Sequence, residues 1–276
     1  MRRRNAGRIM KKLFQPFLML IILGLVGCYS EPTTPVGTQS LTDLENLSAS
    51  KKDSENSKAN QIRTLGLQNT ALSLGAQAGL SWRATQIDQS LSHNATRLDQ
   101  IFSFNGLLLE HSVLPPVLAE GDNTLNLADP NTIRISDVTY QIIQQARFVT
   151  VPPTWRDYIW MDYPPPPVPN SALLPKTKQE KQIWQHYVNL GWKNGIEQAN
   201  TIYGENLGRL KHDYEGMVLY RKLLAKNMVS PPFVATTDLG VTGDSSQLSI
   251  NDHVLRITAL PALQTNSQAW KPVVVE

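Results

Sequence analysis

Nucleophilic, acid–base and metal chemistry each need particular side chains at particular spacings, and this chain of 276 residues offers few candidates. Its five histidines, His93, His111, His186, His212 and His253, form no His-x-x-x-His or His-Glu-x-x-His pair. No helix turn therefore presents two imidazoles to one zinc ion. A Gly-x-Ser-x-Gly elbow, a Gly-x-x-x-x-Gly-Lys phosphate loop and a Gly-x-Gly-x-x-Gly turn are all missing from the sequence. Ser48-Ala49-Ser50-Lys51 matches the Ser-x-x-Lys pattern of penicillin-binding enzymes, but it sits in a polar stretch that offers no dry pocket to hold the two side chains. Glu120, Asp122 and Asp129 place three carboxylates within ten residues. Their spacing does not match a calcium loop, and Asp is what turns use in any case. Lys211-His212-Asp213 reads as a solvated helix face, and no metal or cofactor is expected.

Cys28 is the exception. It is the sole cysteine, which excludes an internal disulfide and a zinc site with several thiolates. Before it come Arg2, Arg3, Arg4, Arg8, Lys11 and Lys12, then an uncharged apolar run from Leu13 to Gly27. This is the layout of a secretory signal, and the run is shorter than the roughly 20 residues a bilayer-spanning helix needs. Leu25-Val26-Gly27-Cys28 resembles the bacterial lipobox, whose Cys is diacylated and becomes the first residue of the mature chain. That resemblance implies lipid attachment at Cys28, with enough acyl chain for stable anchoring. Tyr29 stands where lipoproteins kept in the inner membrane carry Asp, so the outer membrane is the expected destination.

The leader also accounts for the charge. The whole chain carries 26 Lys and Arg against 23 Asp and Glu; without the six leader cations 20 remain, and the net charge passes from +3 to −3. No basic cluster larger than Lys51-Lys52 or Arg221-Lys222 is left, so direct nucleic-acid binding has no electrostatic footprint.

The elements behind these residues begin with a polar tether over 28–60, too poor in apolar side chains to offset the entropy of ordering. Leu41, Leu44 and Leu47 interrupt it after Ser40, either as a frayed helical turn or as a docking segment for a partner. From Ala59 to Phe102 the apolar residues follow a 3.6 period, with Ala71, Gly75 and Gly79 as a row of small side chains suited to close packing within the molecule. Pro, Gly, Asn and Asp between Leu114 and Asn131 predict turns at Glu120-Gly121-Asp122-Asn123 and at Ala128-Asp129-Pro130-Asn131.

Alternation then predicts short strands at Ile133–Ile135, Val138–Ile142 and Arg147–Val151, the parts of a small antiparallel sheet. Thr154 should cap a short helix, and Pro164 to Pro167 should force an extended segment. Thr177-Lys178-Gln179-Glu180 is a capping box opening a second helical region that reaches about Met228. Gly191, Gly195, Gly204 and Gly208 within it require tight crossings or a break near Lys193 to Gly195. Trp155, Trp160, Trp184 and Trp192 read as core residues rather than a ligand cleft. Phe233–Leu239 and Gln247–Thr258 look like strands, with Asn251-Asp252 as the hairpin turn.

Several strings carry a resemblance: Ala71-Leu72-Ser73-Leu74-Gly75-Ala76-Gln77, Leu114-Pro115-Pro116-Val117-Leu118-Ala119-Glu120-Gly121, Pro153-Thr154-Trp155-Arg156-Asp157-Tyr158, Gly191-Trp192-Lys193-Asn194-Gly195, Asn206-Leu207-Gly208-Arg209-Leu210 and Asp238-Leu239-Gly240-Val241-Thr242-Gly243. From about Leu65 to Pro261 the chain resembles the DotC family, the outer-membrane lipoproteins of type IVB secretion systems, which includes the TraI protein of I-type conjugative plasmids. The resemblance implies a scaffold without catalytic residues, packed in several copies against a DotD-like lipoprotein and a DotH-like core subunit on the periplasmic side of the outer membrane. The expected organisation is a signal peptide over 1–27, an acylated Cys28 with a disordered tether over 28–60, and a single folded domain over 61–276. That domain is α+β, mostly long helices with small antiparallel sheet elements. A lipid-anchored cell-wall hydrolase using the carboxylates between Glu120 and Asp129 as acid and base is the alternative.

Overall fold

The computed structural model describes residues 40–48 and 57–271, so the leader, Cys28 and most of the expected tether lie outside the described residues. In chain order the elements are α1 (Leu41–Glu45), α2 (Ser57–His93), α3 (Ala95–Ile101), β1 (Val113–Leu114), β2 (Val117–Asp129), β3 (Thr132–Gln144), β4 (Arg147–Phe148), α4 (Trp155–Ile159), α5 (Lys178–Ala225), β5 (Phe233–Gly243) and β6 (Leu248–Ala259). The α+β expectation is met by two long helices and three two-stranded antiparallel sheets. Among the described residues no helix is long and apolar enough to cross a membrane.

α2 and α5 form the axis of the domain, and their glycines decide how. A methyl group on Gly75 would strike the Val188 carbonyl, and one on Gly79 the carbonyl of Trp192. From the other side, methyls on Gly191 and Gly195 would strike the carbonyls of Leu72 and Ala76. The two rows of small residues therefore face each other, backbone against backbone, and α5 runs unbroken through Lys193 to Gly195. Gly204 and Gly208 face open space instead and take no part in the crossing.

The helices run parallel. Arg63 binds Glu180, the Leu72 carbonyl meets Gly191, the Ala76 carbonyl meets Gly195, and Arg83 binds Asn200, so both chains advance together. A parallel pair obliges the connection to return along the full length of the rod. The proline-rich segment makes that return: the Met161 amide donates to Asp88 at 3.0 Å, the Tyr163 carbonyl accepts from Ser81 at 2.9 Å, and the Leu174 carbonyl accepts from Arg63 at 3.1 Å. The 25 residues of helix between Arg63 and Asp88 rise about 38 Å. Ten extended residues and the 3-10 turn Ser171–Leu173 cover about 37 Å, so the strap fits its track.

The tether prediction needs correction at Leu41–Glu45. α1 is a helical turn with Ser40 and Asp43 in a capping box, and Leu44 is fully buried. Leu44 packs with Leu67, Ala71, Trp184 and Val188, the Trp184 indole donates to the Leu44 carbonyl at 3.0 Å, and the Asn189 amide reaches Glu45. A leucine that removes its side chain from water contributes about 2 kcal/mol, which offsets the ordering of a few backbone residues. The stripe is thus a docking segment whose partner is the chain's own α2–α5 pair. Helix α2 also starts at Ser57, inside the expected tether.

Two further core groups hold the rest. Trp155, Ile159 and Met161 pack under α2 and α5 with Ile87, Leu91 and Met217. Thr154 caps α4 as predicted, its backbone amide and hydroxyl donating to Asp157 at 2.7 and 2.8 Å. Of the four tryptophans assigned to the core, Trp155, Trp184 and Trp192 are buried and Trp160 is exposed.

Candidate assembly surface

The turn predicted at Glu120–Asn123 does not form. Strand β2 runs straight through it, and Asn123 is absorbed at a positive φ of 49° while Asp122 pairs with Val138 and Thr124 with Ser136. Pairing with β3 prevails over local turn propensity, because a 13-residue ladder satisfies more backbone groups than an isolated turn. Only Asp129-Pro130-Asn131 turns the chain: the Asp129 carboxylate accepts from the Asn131 amide at 2.8 Å, which holds its carboxyl below the usual range. Likewise the two short strands predicted over 133–142 are one continuous β3.

Pleating sorts the side chains of this hairpin. Leu118 and Ile142 form one cross-strand pair near the base, where they join Tyr220 and Leu223 of α5. The base sits close because Gly216 carries no side chain; a methyl there would strike the Leu118 carbonyl. Toward the tip, Leu125 faces Ile135 and Leu127 faces Ile133 on the opposite face of the hairpin. All four are at least 60% exposed.

β5 and β6 make a second such arm. Its turn is not at Asn251-Asp252 but at Asp244–Gln247, where Asp244 accepts from the Ser246 hydroxyl and the Ser246 and Gln247 amides at 2.7 to 3.0 Å. Those bonds, the hydroxyl's first, lower the Asp244 carboxyl. Gly240 and Asn251, at φ values of 71° and 58°, mark a register shift within the ladder instead. Beyond the shift Val241 pairs with Ile250 and Gly243 with Leu248, leaving Val241, Leu248 and Ile250 at 65 to 69% exposed. The base is tied to the end of α5 by the Val229–Leu263 bridge and the Ser230–Ala262 hydrogen bonds.

Both arms thus spring from the last turns of α5, whereas α1 docks at Trp184 near its first turn. From Trp184 to Gly216 the helix rises about 48 Å. The rod holds the N-terminal docking segment at one end and two arms with apolar tips at the other.

A family model described as "Type IV secretory system, conjugal DNA-protein transfer" matches residues 61–272, which includes α5 and both arms. The chain belongs to this TraI family of type IV secretion components. It is the family to which the DotC-like strings pointed, and the match covers the whole described domain except α1 and the first turn of α2. No curated protein matches the chain.

Within this TraI-family fold the residues singled out for chemistry are scattered. Glu120 and Asp122 are exposed on β2, with Glu120 accepting from the Tyr140 hydroxyl at 3.2 Å. Asp129 lies seven residues further along the same strand, about 23 Å away. At such separation Asp129 cannot share one bond of a substrate with Glu120 or Asp122. No group of three His, Cys, Asp or Glu able to hold a metal is found among the described residues. Cys28 lies outside them, as do Ala49, Ser50 and Lys51 of the Ser-x-x-Lys match.

Asp213 departs from expectation. It is buried, not solvated, and accepts from the Tyr158 hydroxyl at 3.1 Å, Gln144 Nε2 at 3.3 Å and His212 Nδ1 at 3.1 Å. Burial, followed by the Asp213 charge, pushes the Tyr158 hydroxyl up to about 12, so it stays protonated and donates. The cluster joins α4, the end of β3 and α5. Helical spacing could have flagged it, since Asp213 lies three residues after Leu210 and four before Met217, both core positions.

Proposed function

We propose that this chain is a structural lipoprotein of the outer-membrane core of a type IVB secretion or conjugation machine. Cys28 carries the acyl chains, the folded domain faces the periplasm, and several copies build a ring with DotD-like and DotH-like subunits. The observation that carries the reading is the pair of arms. Two-stranded hairpins are marginal on their own in water, and large apolar side chains at their tips lower solubility unless another surface covers them.

The rod adds a spacing argument. The α1 dock is about 48 Å from the base of the first arm, so the two ends of the rod can meet different subunits.

Two measurements test the reading. Cys28→Ser should lose outer-membrane fractionation in a host that lacks every other secretion subunit; a variant that still fractionates with the outer membrane removes the lipoprotein assignment. Gentle detergent extraction of the intact envelope should recover the chain with DotD-like and DotH-like partners, and recovery as a monomer alone defeats the scaffold assignment.

A further inference from the structure

The arms carry only part of the usual defence of a free strand edge, namely register shifts in both ladders and a few charged side chains. Natural sheets blunt exposed edges with Lys, Pro or short strands. Neither β2–β3 nor β5–β6 contains a lysine, and the sole proline of the two hairpins, Pro130, is in a turn. Their strands are 11 to 13 residues long and rich in Val, Ile, Leu and Thr. Among the described residues each hairpin has two unpaired edges, since its sheet holds two strands. Long edges without lysine beside an apolar face are the pattern of a strand-addition site, in which main-chain hydrogen bonds give affinity and alternate side chains give specificity.

Charge narrows what adds. Glu120, Asp122, Asp129 and Asp137 stand against Arg134 on the first hairpin, a net charge of −3. Asp238, Asp244 and Asp252 stand against Arg256 on the second, a net charge of −2. Pairing arm with arm between copies would bring two net-negative hairpins together, which long-range electrostatics disfavours. The geometry points to strand addition by a different protein, whose extended segment carries Lys or Arg between apolar residues. This inference names the partner chemistry of the surface proposed above and rests on that reading.

The test uses the full chain in its assembled envelope complex. p-Benzoylphenylalanine in place of Leu125 or Val241 should, on irradiation, form adducts with a Lys- or Arg-bearing segment of another protein. In the purified complex, the edge amides of the arms should exchange at least ten-fold more slowly than in the isolated chain. Asp122→Lys with Asp137→Lys, both exposed positions, should weaken retention in the complex at least ten-fold without changing the melting temperature of the isolated chain. Adducts with this chain's own peptides, adducts with lipid alone, no adduct, or unchanged exchange would each overturn strand addition. If the chain co-purifies with its partners and the arms still exchange freely, only this inference falls; if it never co-purifies, the scaffold reading falls with it.

Discussion

The indole of Trp184 donates to the main-chain carbonyl of Leu44 at 3.0 Å, across 140 residues of sequence and in a fully buried setting. This contact makes the segment after the expected anchor a part of the rod. Leu44→Ala removes the side chain that fills the site and should cost about 2–4 kcal/mol in denaturant unfolding, with a red shift of tryptophan emission. A change below 0.5 kcal/mol would show that α1 is not docked in solution.

The glycines make opposite predictions along one helix. Gly191→Ala drives a methyl into the Leu72 carbonyl and should destabilise by about 2 kcal/mol or more. Gly204→Ala and Gly208→Ala meet nothing and should each stabilise by about 0.5–1 kcal/mol through helix propensity. Thermal melts of the three variants read both signs at once.

Arg63 and Glu180 supply a pH signature. Arg63 Nε donates to Glu180 at 2.6 Å, and the Lys176 and Thr177 amides donate to the same carboxylate. The Arg63 hydrogen bond is the largest influence holding the Glu180 carboxyl below its ordinary value of 4.5. A carboxyl lowered in the folded state stabilises fully above that ordinary value and loses its contribution as pH falls through the lower folded value. Glu180→Gln should therefore be about 1–2 kcal/mol less stable at pH 7, with the gap closing below about pH 4.5. A gap that stays constant down to pH 3 would exclude the pair as its source.

Asp213 is a structural clasp. Asp213→Ala leaves the Tyr158 hydroxyl and the Gln144 amide without their acceptor, at a cost of about 1–3 kcal/mol. The paired change Asp213→Ala with Tyr158→Phe should recover part of that loss, which a double-mutant cycle measures.

Apolar tips that serve assembly should be dispensable for folding. Leu127→Thr with Ile133→Thr changes two exposed, cross-strand neighbours to polar residues that still suit a strand. The isolated chain should keep its unfolding free energy within the roughly ±0.5 kcal/mol typical of surface changes. Co-purification with other secretion subunits should be lost. Unfolding of the isolated chain would mean that the tips pack within the molecule.

Much of the architecture was legible in the residues. Thr177 and Glu180 announced the start of α5, Thr154 announced α4, and the spacing of apolar positions outlined both long helices, because caps and periodicity act over a few residues. The small-residue rows at Gly75–Gly79 and Gly191–Gly195 were visible as close-packing elements, but their mutual partnership was not, since nothing local says which backbone approaches which. The sequence alone thus determined the long helices and their caps. Tertiary structure alone decided that α2 and α5 run parallel, that the proline strap carries the chain back, and that Leu44 docks on Trp184. It also carried β2 through residues whose local chemistry favoured a turn. In each case the deciding energy comes from burial and backbone pairing between segments tens to more than a hundred residues apart, which no window of sequence contains.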